Sequence, residues 1–323
     1  MQQRPWFREF REKGERSTPR GQHVPVLLSP VLESLNPQPG QTVVDCTLGF
    51  AGHASELLKR VGPQGRLVAF DADPTYVSLA EQTLSEVGNP FHIHRGNFAS
   101  LASVLAELQI ESIDGLLADL GMSSMQVDDP ARGFSFMRDG PLDMRMDPNR
   151  GRTAAELLAT LDASELESAF RDLGDEPDAE RIALAIVSER KKRPLTTTLQ
   201  LKELILKAAP VTVVKSPGMG PAEKQKMRPT VRVFQTLRML VNREVGNLQQ
   251  LLRVLPTMLK PGGTAAIISF HSGEDRLVKN AFRDGLRAGV YSAASDDPIR
   301  PTEEEKAENP RSRSAKLRWA RRA

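Results

Sequence analysis

Four short apolar runs in the first 120 residues of this sequence each end beside a residue able to do chemistry. The first run leads into DCTLGFAGH (45 to 53), where glycines let a backbone approach a ligand and a following helix N-terminus favours negative charge. Asp71 ends the second run, a position from which one carboxylate can accept both hydroxyls of a ribose. Asn97 and Phe98 follow the third, and Asp119 ends the fourth. Any one of them could be a turn residue or a cap. Their recurrence at equivalent places points to a site that holds a nucleoside-containing ligand. The spacing Gly49-x-Ala51-Gly52 lacks the three-glycine dinucleotide fingerprint, which argues against a nicotinamide oxidoreductase.

After Asp119 the chain enters a long polar segment, DLGMSSMQVDDPARGFSFMRDGPLDMRMD (119 to 147), that carries two phenylalanines and five methionines. A merely solvated loop rarely exposes so much apolar surface. His271 with Glu274 and Asp275 invites a metal or general base, but His-Ser after an apolar run also reads as a helix cap. His92 and His94 have no further ligand candidates nearby, and the single cysteine, Cys46, excludes an internal disulfide or a cysteine metal site. No metal is expected.

The elements that must position these residues alternate. QTVVDCTL (41 to 48), GRLVAFDAD (65 to 73), FHIHRGN (91 to 97) and IDGLLADL (113 to 120) read as strands, Cys46 lying within the first. His53 to Val61, Pro74 to Val87 and Ser100 to Leu108 read as the helices between them, the pattern of a doubly wound parallel sheet. Beyond the polar segment the signals are helical only. Thr153 with Glu156, Asp162 with Glu165 and Thr197 with Gln200 have capping-box spacing, and RIALAIVSERKKR (181 to 193) keeps one apolar face. These helices form an insertion, closed by a linker over 215 to 229. Apolar residues at intervals of three and four from Val233 to Leu259 predict one long helix, ended by LKPGG (259 to 263). TAAIISF (264 to 270) resumes the sheet, and AKLRWA (315 to 320) adds a strand.

At 323 residues, 39% hydrophobic and 26% charged, the chain has the composition of a soluble globular protein with a sizeable core. No apolar run is long enough to span a bilayer and the first twenty residues are charged, so no membrane association and a cytoplasmic location are expected. The net charge is only +3, yet RSRSAKLRWARRA at the end holds six basic side chains and no acid, the kind of terminus that often faces nucleic acid. Arg190 to Arg193, Arg138, Arg145, Arg150 and Arg152 are further candidates to neutralise phosphates.

Together these features resemble a class I S-adenosylmethionine-dependent methyltransferase, a Rossmann-like fold with a mostly parallel sheet, here with an all-helical domain inserted after the fourth strand. RGFSFMRDGPLDMRMD (132 to 147), DLGMSSMQVDD (119 to 129), ISFHSGEDR (268 to 276) and ENPRSRSAKLR (308 to 318), in order from His23-Val24-Pro25-Val26-Leu27-Leu28 onward, closely resemble the ribosomal RNA small subunit methyltransferase H family. The resemblance implies S-adenosyl-L-methionine as cofactor and N4-methylation of a cytidine in the decoding region of 16S ribosomal RNA. The partner would be 16S ribosomal RNA or the small ribosomal subunit, and a homodimer is compatible with this reading. Its implied domains are a basic arm (1 to 22), the catalytic core (23 to 130 and 229 to 323) and an inserted RNA-binding domain (131 to 228).

Carried over residue by residue, the implied cofactor contacts are Ala51, Gly52, His53, Asp71, Phe98, Asp119 and Gln126. Two departures stand out. Phe50 and Ala51 replace an arginine-glycine pattern before the second glycine, and at positive φ the alanine methyl costs about 1 kcal/mol. Gly273 stands where the family has leucine. DNA amino-methyltransferases draw on the amine's N–H with an Asp/Asn-Pro-Pro-aromatic motif after the fourth strand; the corresponding place reads Asp119-Leu120-Gly121-Met122, without the aromatic. Asp119, Ser123 and Ser124 are accordingly expected to face the acceptor amine, Phe134 or Phe136 either to stack on an extruded cytosine or both to staple the loop to the helical domain, and Arg138 and Arg145 to contact the RNA. The alternative is a noncatalytic RNA-binding or ribosome-assembly protein that retains the fold.

Overall fold

The computed structural model describes residues 24 to 209 and 228 to 323. The basic N-terminal arm, His23 and residues 215 to 227 of the linker lie outside them. Seven strands, β1 (Thr42–Asp45), β2 (Arg66–Asp71), β3 (Phe91–Arg95), β4 (Ile113–Asp119), β5 (Leu259–Ser269), β6 (Tyr291–Ala294) and β7 (Lys316–Arg322), form one sheet in the order β3-β2-β1-β4-β5-β7-β6. Neighbours from β3 to β5 are parallel, whereas β7 runs antiparallel to both β5 and β6. The chain goes from β1 outward to β3, then returns to place β4 on the other side of β1. Where the winding reverses, the loops leaving adjacent strands part, and ligands bind beyond the carboxyl ends.

Alternation along the strands divides the core. Val43, Leu67, Ala69, Leu117 and Ile268 pack on one face with the helices Leu28–Leu35 and Gly52–Val61. Val44, Val68, Phe70, Leu116 and Ile267 pack on the other with the helices Leu101–Glu107, Glu244–Met258 and Ser272–Arg287. Successive residues therefore point into opposite layers, and central strands covered on both faces read as continuous apolar runs. Cys46 lies just past β1, buried, rather than inside the strand.

The three capping boxes expected in the insertion are all formed, opening the helices Ala154–Thr160, Ala163–Asp172 and Thr198–Ala208. With Ala179–Arg190 they enclose a third apolar cluster around Phe134, Phe170, Ile182 and Leu201.

The long helix expected from Val233 to Leu259 is instead two, Arg228–Val241 and Glu244–Met258, broken at Arg243 with φ 54°. The apolar periodicity runs through the break because each half serves a different core. Phe234 and Leu237 join the insertion cluster, while Leu248, Leu251 and Leu255 join the sheet. Arg238 and Glu244 bridge the break with two hydrogen bonds of 2.9 and 2.8 Å. The helical unit accordingly extends to Val241 by its packing, beyond the boundary at 228 read from the linker.

The basic C-terminus is largely structural. Arg318 is 4% exposed and donates to Asp275 Oδ1 at 2.7 Å, Lys316 Nζ lies 3.2 Å from the same carboxylate, and Arg322 donates to the carbonyls of Val290 and Pro256.

Candidate functional site

A cavity of about 200 Å3 opens at the carboxyl ends of β1, β2, β3 and β4 and reaches the break between the two late helices at Asn242, Glu244 and Asn247. Its floor is tied together by backbone groups that turns leave over. Thr47 N–H donates to Asp45 Oδ1 at 2.9 Å, and Asp119 N–H donates to Thr47 Oγ1 at 2.7 Å, so the ends of β1 and β4 share one threonine. Gly49 N–H donates to Asp71 Oδ2 at 2.8 Å and Asp73 N–H to its Oδ1 at 2.9 Å. Each Asp71 oxygen retains a second lone pair, enough to accept the hydroxyls of a ribose.

Ala51 has φ 62° and ψ 24°, so the strained alternative foreseen for this alanine is the one realised. Its side chain is fully buried and its N–H is used by Leu48 O at 2.8 Å; Ala51 shapes the turn without lining the cavity. Gly52 and His53 do line it. A Cβ at Gly52 would stand 2.7 Å from Pro25 Cγ, which requires glycine there. His53 Nε2 lies 2.9 Å from the Val26 carbonyl oxygen. A carbonyl only accepts, so Nε2 carries the hydrogen, and Nδ1 faces Asp119 Oδ2 at 3.8 Å.

Asp119 is a strongly perturbed carboxyl of the wall. Burial, then the charges of Asp45 and Glu274, push its pKa up to about 8. Oδ1 is sealed off without a hydrogen-bond partner among the described residues, so the 21% exposure of the side chain lies on its other atoms, on the side of Oδ2. Asp45 behind it is raised to about 7 by burial, against the hydrogen bonds from Thr47, and Asp71 to about 6, also by burial. Burial would raise Glu274 too, but the His271 ring, the Phe270 N–H and Arg238 outweigh it and hold this carboxyl below its ordinary value. His271 caps the helix Ser272–Arg287 through Glu274 N–H and lies 3.0 Å from Glu274 Oε1, which is the capping role its sequence position allowed. A Cβ at Gly273 would meet that ring at 3.2 Å, so glycine leaves the ring edge uncovered.

Phe98, Ser123 and Gln126 all line the cavity, and Ser123 is also tied into its own turn. Its Oγ accepts Gln126 N–H in a capping box and hydrogen-bonds the Tyr76 hydroxyl, which fixes the turn that carries it. Ser124 begins the short helix Ser124–Asp128.

Neither phenylalanine lines the cavity; both pack in the helical domain, the stapling arrangement of the two that the sequence allowed. Phe134 is 6% exposed within the insertion core, under the Arg132 guanidinium. Phe136 packs edge-on against Phe234 with ring centroids 5.1 Å apart and lies beneath Lys202. Both gain more from packing the helical domain than from standing in solvent. Arg145 is held by Asp143 through two 2.8 Å hydrogen bonds, and Arg138 is exposed and donates to the Asp128 carbonyl. Neither lines the cavity. Among the described residues no cluster of histidine, cysteine and carboxylate side chains could hold a metal ion, and no helix is long and apolar enough to cross a membrane.

Sequence reasoning missed a connecting layer. Asp73, fully buried, accepts from Thr75 N–H, Gln126 Nε2 and Arg132 Nη1, and Arg132 Nη2 donates to the carbonyls of Arg145 and Met146. Asn242 then accepts Met146 N–H and donates to Met144 O. Asp73 before Pro74 was readable as a helix cap; nothing in the sequence announces its partners 53 and 59 residues away.

Two curated relatives match nearly the whole chain. Ribosomal RNA small subunit methyltransferase H 1 of Lachnoclostridium phytofermentans is 44% identical over 94% of this chain and 82% of its own length. Ribosomal RNA small subunit methyltransferase H of Acidobacterium capsulatum is 42% identical over 93% and 98%. Among solved structures, Aeropyrum pernix fibrillarin in complex with natively bound S-adenosyl-L-methionine is 12% identical, with a TM-score of 0.39 over 91% of this chain and 73% of that one, a likeness too distant to bear on function. The strand order with β7 reversed, the cavity at the switch point and a family sequence profile that matches residues 20–323 agree: the chain belongs to the MraW methylase family.

Proposed function

We propose that this protein methylates ribosomal RNA of the small subunit with S-adenosyl-L-methionine as donor, and that the acceptor is N4 of a cytidine in the decoding region of the 16S molecule. The relatives' names support the ribosomal RNA substrate, and family membership supports methyl transfer. The observation that carries the chemistry is the accessible Oδ2 edge of Asp119 at the end of β4, with His53 Nδ1 3.8 Å behind it.

The residues present fit the cofactor. Asp71 offers free lone pairs for ribose hydroxyls, the Gly49 to Gly52 turn admits a close ligand backbone contact, and Phe98 supplies a flat apolar face beyond β3. Of the implied contacts, Gly52, His53, Asp71, Phe98, Asp119 and Gln126 share the cavity wall, whereas Ala51 acts through the turn. The bound cofactor supplies an electrophilic methyl group.

A cytosine amine has its lone pair delocalised into the ring, so an acceptor that draws on one N–H helps it pyramidalise. Ionised Asp119 Oδ2 is that acceptor. The proton that nitrogen loses on methylation would pass to Asp119 Oδ2 and from there to water, with His53 Nδ1 3.8 Å from that oxygen. A carboxylate with a pKa near 8 is a stronger base than an ordinary one, and burial behind Thr47 and Asp45 gives it that strength.

Exposed Arg138, Arg150, Arg152 and Lys191 supply phosphate contacts that position the RNA without reading its sequence. The test is methyl transfer from labelled cofactor to small subunits and to naked 16S RNA from cells lacking the gene, followed by nucleoside mass spectrometry. N4-methylcytidine at one decoding-region position is the expected product. Label on another base would overturn the acceptor assignment, and cofactor binding without any transfer would favour the noncatalytic alternative.

A further inference from the structure

A base taken out of its stack must bury a face against something, and the cavity lacks the aromatic that the sequence led one to expect. Phe134 and Phe136 are committed to the helical core. Of the rings in the wall, Phe70 is fully buried and Phe50 stands edge-on to Tyr76 at 5.0 Å. Phe270 lies beneath Gly121, 3.5 Å from where a Cβ there would stand. Phe98 is beyond β3, with β2 and β1 between it and the strand that ends in Asp119.

One large apolar side chain of the wall, among the described residues, is more than a third exposed. Met122 is 38% exposed and stands three residues after Asp119, in the place of the aromatic in Asp/Asn-Pro-Pro-aromatic. Its backbone is fixed from both sides. Gly121 has φ 116°, a conformation open to glycine that turns the chain over Phe270. Ser123 is locked by its capping box, and Gln126 of that box is anchored to buried Asp73.

We propose that Met122 is the platform against which the extruded acceptor base packs, its thioether replacing the missing ring beside Asp119. A polarizable, unbranched side chain suits this task, because sulfur contacts aromatic edges and faces favourably while adapting to a ligand that arrives and leaves. This rests on the reading of the protein as an RNA cytosine methyltransferase.

The experiment compares wild type with Met122→Ala, Met122→Leu and Met122→Phe. Each is assayed for methyl transfer to unmethylated small subunits, for S-adenosylhomocysteine affinity by calorimetry, and for the fluorescence of RNA carrying pyrrolocytidine at the target position. For Met122→Ala the expected result is a loss of about tenfold in kcat/KM for RNA with cofactor affinity within twofold of wild type. The fluorescence change on RNA binding should shrink in parallel, and Met122→Phe should restore both. Wild-type RNA kinetics in Met122→Ala would overturn the platform. So would a parallel loss of cofactor affinity, which would assign the side chain to the other ligand. Absence of transfer by wild type itself would overturn the functional reading, and the platform with it.

Discussion

Arg132 Nη1 lies 2.7 Å from Asp73 Oδ2, a buried ion pair between the turn after β2 and the start of the helical insertion. The same carboxylate oxygen receives Gln126 Nε2, and the other arginine nitrogen holds the carbonyls of Arg145 and Met146. One pair therefore sets the spacing of three segments that surround the cavity. Arg132→Met leaves Asp73 buried without its countercharge and is expected to destabilise the fold by about 3 kcal/mol. Urea denaturation of wild type, Arg132→Met, Asp73→Asn and the double variant measures it. A coupling energy indistinguishable from zero would show that the pair is incidental.

Methyl transfer should follow the ionisation of Asp119. Its pKa is raised to about 8, so the acceptor form is scarce at pH 6 and grows as pH rises through that value. The expected kcat/KM profile climbs with pH and levels off above about 8. Asp119→Asn, which lacks the basic oxygen, should lose roughly a hundredfold and the climb as well. A climb that persists in Asp119→Asn would assign the titration to another group.

Asp45 is 1% exposed and titrates near 7 when folded, against 3.8 for an unburied aspartate side chain. The folded state binds this proton more tightly than the unfolded one. Its contribution is thus fully present below the unfolded value and is lost as pH rises toward 7. Asp45→Asn keeps an oxygen for the Thr47 N–H without the charge. Its stability relative to wild type should increase between pH 5 and 8.5 by on the order of 2 kcal/mol. Thermal melts at the two pH values test this, and a constant difference would mean that Asp45 is solvated better than its burial suggests.

Phe134→Ala should act on the fold before it acts on the reaction. Removing a core ring costs about 3 kcal/mol, and half-buried Phe136 somewhat less. Transfer rates corrected for the folded fraction are expected to stay near wild type. A fully folded Phe134→Ala protein that has lost transfer would return the ring to the substrate.

Association with RNA should weaken steeply with salt, since phosphate contacts release counterions. Arg150 and Arg152 are exposed beside the entrance to the insertion. Replacing both with glutamine should lower the slope of log affinity against log salt by about 2. Filter binding at several salt concentrations gives that slope, and an unchanged value would place the RNA elsewhere.

Local patterns legible in the sequence survive in the structure wherever local forces decide. The apolar runs that become β1 to β4, the Pro74–Val87 helix and the three capping boxes depend on neighbours within a few residues. The long apolar stripe from Val233 to Leu259 misled because periodicity reports that a face is buried and is silent about which core buries it.

The order of residues was enough to establish the doubly wound sheet, the place of the site at the carboxyl ends of its strands, and the membership that its motifs resemble. Which side chains reach the cavity was settled only by the closed chain. Closure withdrew Phe134 and Phe136 into the helical core and tied Ser123 to Tyr76. It also left Met122 exposed beside Asp119 and set Asp73 between Gln126 and Arg132. The reason is physical: a strand or cap is fixed by contacts a few residues long, whereas burial, charge and hydrogen-bond partners across 50 or more residues exist only once the chain has folded back on itself.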